Sequence, residues 1–150
     1  KNVLYVFLGG GIGSVLRYVL SLLIPSTIFP AATFVVNITG SFLIGLFAAL
    51  YGIQPTTQSG QQALLLFLTT GLCGGFTTFS TFSKESYSLM QQQQWPLFFI
   101  YLFTTVALCI GGTALGFYFG SSQLPQQIHA LFETIMYSIE RFLVDLHNVQ

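Results

Sequence analysis

Residues Gly71-Leu72-Cys73-Gly74-Gly75-Phe76-Thr77-Thr78-Phe79-Ser80-Thr81-Phe82 fall inside an apolar run that extends from about residue 62 to residue 90. Three glycines and a cluster of hydroxyl residues weaken a helix at that point. A chain crossing hydrocarbon must satisfy every backbone N–H and C=O, so non-helical backbone survives there only when buried in protein or lining a cavity. A run of about 30 residues also exceeds the ~20 that a continuous transmembrane helix needs. The sequence therefore predicts a span interrupted near its middle, with an ion or substrate site at the interruption.

The class follows from composition. Of the 150 residues, 53% are hydrophobic and 5% are charged, and mean hydropathy is +0.73; soluble domains carry roughly a quarter charged residues. Four apolar segments are expected, at about 2–24, 31–53, 62–90 and 95–120, and the first is read as structural rather than as a cleaved leader. Trp95 and Pro96 suit an interfacial anchor and a first helical turn. Cys73 and Cys109 each sit in an apolar segment without Cys-x-x-C or Cys/His spacing, so both are expected to be structural thiols.

Small residues recur at close spacing: Gly9 and Gly13, Gly40 and Gly45, then Gly112, Gly116 and Gly120. Such patterns let helix backbones approach, either within one bundle or between subunits. Lys1, Arg17 and Lys84 are the basic residues of the first 120 positions, and the expected loops at 25–30, 54–61 and 91–95 hold none. Loop charge sets orientation, so insertion in both orientations, paired as a homodimer of opposed copies, is expected. The stretch 121–125 reads as a linker and 126–150 as an amphipathic helix of unassigned role, with Ile128, Leu131, Phe132, Ile135, Ile139, Phe142, Leu143 and Leu146 on one face.

Ionisable groups inside a membrane are functional candidates by default. Arg17 is the one in the first two segments; it either snorkels to the interface or attracts an anion at a vestibule. Lys84 and Glu85 read as a solvated pair near a boundary. No nucleophile has a base beside it, so no enzyme is expected, and neither is a nucleic-acid partner. Neutral polar stripes remain: Thr33, Asn37 and Ser41 in segment two, and Tyr101, Thr105 and Cys109 in segment four. Each stripe suits interhelical hydrogen bonding or a narrow hydrated path. Phe79 and Phe82, three apart, present two rings whose positive edges support a poorly hydrated anion.

These blocks resemble the Fluc/CrcB family of fluoride channels: Gly9-Gly10-Gly11-x-Gly13 followed by Arg17-Tyr18, Thr33-x-x-x-Asn37-x-x-Gly40-Ser41-Phe42-x-x-Gly45, and above all Gly71 to Phe82. The resemblance covers roughly residues 3–120. It implies an all-α integral membrane fold of four helices with the third broken mid-membrane. It also implies an antiparallel, dual-topology homodimer in the plasma or inner membrane of a prokaryote, exporting fluoride passively. Backbone carbonyls of Gly74 and Thr77 would hold a structural sodium ion. Phe79, Phe82, Asn37, Ser80, Thr81, Tyr101 and Thr105 would line the fluoride route, with Arg17 at the vestibule. Rival readings are a small dual-topology multidrug-type transporter and a structural membrane subunit.

Overall fold

The computed structural model describes residues 2–25, 28–52 and 59–121, together with 134, 135, 137, 138 and 141. Among them every regular element is helical. The order is α1 (Asn2–Leu23), α2 (Ala31–Gly52), α3 (Ser59–Leu65), a π-helical stretch (Leu66–Cys73), α4 (Gly74–Phe76), α5 (Phe79–Gln91) and α6 (Trp95–Ser121). Four stretches are long and apolar enough to cross a membrane: Asn2–Leu23, Ala31–Tyr51, Gln62–Gln91 and Trp95–Ser121. The expected linker and amphipathic helix at 121–150 lie almost entirely outside the described residues.

The glycines pack this one bundle. A Cβ on Gly9 would lie 2.5 Å from the Phe67 carbonyl oxygen, and one on Gly13 would lie 2.2 Å from that of Leu72. The backbone of α1 therefore rests directly on the π-helical stretch. The α2–α6 seam is equally close: Cβ atoms on Gly45 and Gly116 would meet the Thr113 and Phe42 carbonyl oxygens at 2.1 and 2.0 Å. Thr113 adds a hydrogen bond from Oγ1 to the Ser41 carbonyl (3.0 Å). Side chains smaller than alanine are what these approaches demand.

The third span changes character twice. Its π-helical stretch widens the helix beside α1, and Thr69 returns a hydrogen bond to the Leu65 carbonyl (2.6 Å). After α4, Thr77 (φ −75°, ψ 158°) and Thr78 (φ −151°, ψ 113°) are extended, and α5 restarts at Phe79. Two apolar clusters flank these residues, one around Phe47, Tyr51, Leu64, Leu68 and Cys73, the other around Phe82, Leu89 and Tyr101.

The end of α5 is sharply defined. Gln93 takes a left-handed conformation (φ 57°), while the Gln93 and Gln94 N–H groups donate to the Met90 and Leu89 carbonyls at 3.0 and 2.9 Å. This is the Schellman arrangement, with glutamine where glycine is usual. It turns the chain straight into α6.

Candidate functional site

The extended pair Thr77–Thr78 is held by side chains. Asn37, buried on α2, closes a two-bond ring with the backbone of Thr78: the Thr78 N–H donates to Oδ1 (2.8 Å) and Nδ2 donates to the Thr78 carbonyl (3.1 Å). The Thr78 hydroxyl caps α5 by accepting from the Thr81 N–H (3.1 Å). It also donates to Thr81 Oγ1 (3.0 Å) and lies 3.1 Å from Ser80 Oγ.

Those two captures have a chemical consequence. In an unbroken helix the Thr78 N–H would bond the Gly74 carbonyl and the Thr81 N–H would bond the Thr77 carbonyl. Both donors are engaged by side chains instead. The two carbonyls thereby lose their helical donors, and both residues line the same cavity.

That cavity has a volume of about 340 Å³ and is open at one side. Asn37, Gly74, Thr77, Phe79, Phe82 and Thr105 line it, as do Ser41, Thr78, Cys73 and Cys109. Phe82 is 4% exposed and Phe79 is 77% exposed, so one ring is fixed in the bundle while the other stands free on the open side. Their centroids are 5.6 Å apart. Thr105 is 3% exposed, and its hydroxyl has no hydrogen-bond partner among the described residues.

A second cavity of about 240 Å³ holds Arg17, Ser14, Ser21, Thr33 and Thr81. Thr78 lines both cavities, so the extended pair separates them by a single residue. Ser14 on α1 donates toward the Gly75 carbonyl at 3.4 Å, at the base of this wall.

Of the remaining residues singled out from sequence, Ser80 is exposed beside the Thr78 cap, and Tyr101 is buried outside both linings. The Tyr101 hydroxyl donates to Glu85 Oε2 (2.8 Å), and Thr33 Oγ1 donates to Oε1 (2.9 Å). Glu85 thus joins α2, α5 and α6 rather than standing as one of two solvated charges. The signal for it was in the sequence: Glu85 is the lone acidic residue among the first 120. The Asn37 ring with Thr78 had no such marker, because it depends on two segments meeting in space.

The model of the family described as CrcB-like protein, Camphor Resistance (CrcB), matches residues 4–117. The chain belongs to the CrcB family. A relative named Fluoride-specific ion channel FluC, from Phocaeicola vulgatus, is 49% identical over 119 residues, spanning 77% of this chain and 95% of that protein. The protein of the same name from Flavobacterium psychrophilum is 46% identical over 119 residues, 77% of this chain and 94% of its own length. One from Ignicoccus hospitalis is 38% identical over 117 residues, 77% and 92% of the two chains. With four span-length helices, this CrcB member is a multi-pass membrane protein of a prokaryote.

Proposed function

We propose that the chain is a fluoride-specific channel that exports fluoride passively across the cell membrane, and that the lining of the larger cavity is part of its path. The observation that carries this reading is the meeting of Asn37, Thr77, Thr78, Phe79, Phe82 and Thr105 around one cavity, in a chain 49% identical to a fluoride-specific channel. The function is conduction, not catalysis.

The route runs from the Arg17 cavity past Thr78, with Ser80 and Thr81 beside it, to the Phe79 and Phe82 rings and the hydroxyl of Thr105. Tyr101, held by Glu85, fixes the inner ring by packing against it at 5.2 Å between centroids. Arg17 draws anions toward the entrance without a fixed charge at the narrowest point to trap them. Hydroxyl donors and positive ring edges replace part of fluoride's hydration shell.

A cavity open to hydrocarbon would leave the carbonyls and hydroxyls in its wall without partners. A second copy closes it, in an antiparallel homodimer whose interrupted helices meet at the bilayer's middle. The donor set at that meeting suits a hard monovalent cation: the Gly74 and Thr77 carbonyls, freed from their helical donors, would hold sodium together with the same pair from the partner. When bound, the ion would fix the two copies and raise the local potential for anions.

Fluoride efflux from liposomes holding the purified protein, read with a fluoride electrode and repeated with chloride, tests the reading. Rapid electrogenic release of fluoride with negligible release of chloride is expected. Release no faster than from empty liposomes, by protein shown to be folded, would overturn it.

A further inference from the structure

We propose that Lys84 faces water rather than lipid and draws anions to the mouth of the path, as a second gathering charge beside Arg17; the anion drawn rests on the function proposed above, whereas the water-facing position does not. The exposed side chains of α1 and α6 set the comparison. On α1 they include Val3, Phe7 and Val15, and on α6 Phe99, Phe103 and Ile110, all suited to hydrocarbon. From Ser80 onward α5 differs. Its exposed residues are Ser80, Ser83, Lys84, Tyr87, Ser88 and Gln91, which share one arc of about 140° at 3.6 residues per turn. Lys84 lies about two turns, or 10 Å, inside the end of the third span at Gln91. A lysine at that depth is costly in lipid and is tolerated where water reaches it.

The charge is not cancelled by a bound carboxylate. Glu85, the lone acidic residue among the first 120, has its two oxygens on the Tyr101 and Thr33 hydroxyls, at 2.8 and 2.9 Å. In an opposed copy the same glutamate would lie in the other half of the membrane, away from Lys84. The position also suits the route. Thr81, one turn deeper than Lys84 on α5, lines the second cavity together with Arg17, and α1 and α5 end on the same side of the bundle, ahead of α2 and α6. Lys84 and Arg17 thus stand over one entrance. In water, a unit charge about 10 Å away changes the local concentration of a monovalent anion about twofold.

The position is tested by Lys84→Cys in liposomes, treated with the anionic, membrane-impermeant thiol reagent MTSES and weighed by mass spectrometry beside wild type treated in the same way. Each reaction forms a disulfide and releases methanesulfinate. One more adduct than on the wild type is expected for Lys84→Cys, and none more for Val15→Cys, whose side chain is 61% exposed on an apolar face. The role is tested by fluoride efflux at low fluoride, with each variant compared with wild type at the same concentration of sodium gluconate. At about 10 mM salt, Lys84→Gln should slow efflux about twofold and Lys84→Glu about fourfold. At about 1 M, where the screening length falls to about 3 Å, both differences should vanish. The cationic reagent MTSEA should bring Lys84→Cys back toward the wild-type rate at low salt, and MTSES should slow it further.

No additional adduct on folded Lys84→Cys would overturn the water-facing position. An adduct with wild-type efflux in Lys84→Gln and Lys84→Glu at low salt, or with losses equal at both salt concentrations, would overturn the gathering role. If the wild type passes no fluoride, the channel reading fails and the gathering role with it, while the labelling still decides the position.

Discussion

Asn37 gives both ends of its amide to Thr78, so its first role is to hold the interruption open rather than to offer a free donor to an anion. Asn37→Ala leaves a buried N–H and a buried carbonyl unsatisfied, at about 1–3 kcal/mol each. Asn37→Asp keeps the acceptor but sets a second oxygen against the Thr78 carbonyl and adds negative charge beside the path. Both variants should unfold at lower temperature and conduct less, with aspartate losing more flux for the same loss of stability. Equal stability to wild type in both would remove the clamp. Phe79 and Phe82 separate in the same way. Phe82 packs on Tyr101 and is 4% exposed, so Phe82→Ile should cost flux and about 1 kcal/mol or more of stability. Phe79 is 77% exposed in the single chain, so Phe79→Ile should cost flux alone. Unchanged fluoride efflux in the Phe79 variant would discard the ring-edge proposal.

At the scale of elements, α1 and the third span are held at backbone contact. A Cβ on Gly13 would approach the Leu72 carbonyl oxygen to 2.2 Å and the Phe76 nitrogen to 2.7 Å, atoms that cannot swing aside. On Gly111 it would meet nothing within 4 Å. Gly13→Ala should therefore destabilise by a few kcal/mol, in the ~1–3 kcal/mol range of overpacked cores, and displace the interruption. Gly111→Ala should be neutral or slightly stabilising by its better helix propensity. Thermal unfolding in detergent and fluoride efflux measure both, and a tolerated Gly13→Ala would mean that α1 is not fixed against the third span. The span-length helices were legible because apolar length is a property of the sequence alone, and Pro25, Pro55 and Pro96 mark their neighbourhoods. Glycine spacing showed that backbones approach but left their partners open; the structure supplies Phe67 and Leu72 for α1, and Thr113 for α2. The π-helical stretch had no sequence marker, since a five-residue hydrogen-bond step depends on the neighbour that the widened turn accommodates. The Gln93 cap was hidden because a residue other than glycine carries the positive φ.

At the scale of the whole molecule, the lining is incomplete on one side, and an opposed copy of the same chain is the proposed closure. Charge makes that pairing testable. With four spans, the turn at 92–94 and the α1–α2 connection lie on one side of the membrane, and the N-terminus and the end of α6 lie on the other. Positive charge favours the cytoplasmic side. Gln92→Lys with Gln93→Lys should hold the first side inward, and Asn2→Lys with Ser121→Lys should hold the second. Either doubly substituted chain made alone would place nearly all copies in one orientation, starving the membrane of opposed pairs and cutting fluoride efflux from cells several-fold. Made together, the two populations supply opposed partners, and efflux should return toward that of the wild type. Full efflux from a chain shown by cysteine accessibility to sit in one orientation would exclude the antiparallel dimer. So would a failure of two oppositely oriented populations, each folded and inserted, to restore it. In either case a parallel assembly would have to complete the walls around Phe79 and Thr77.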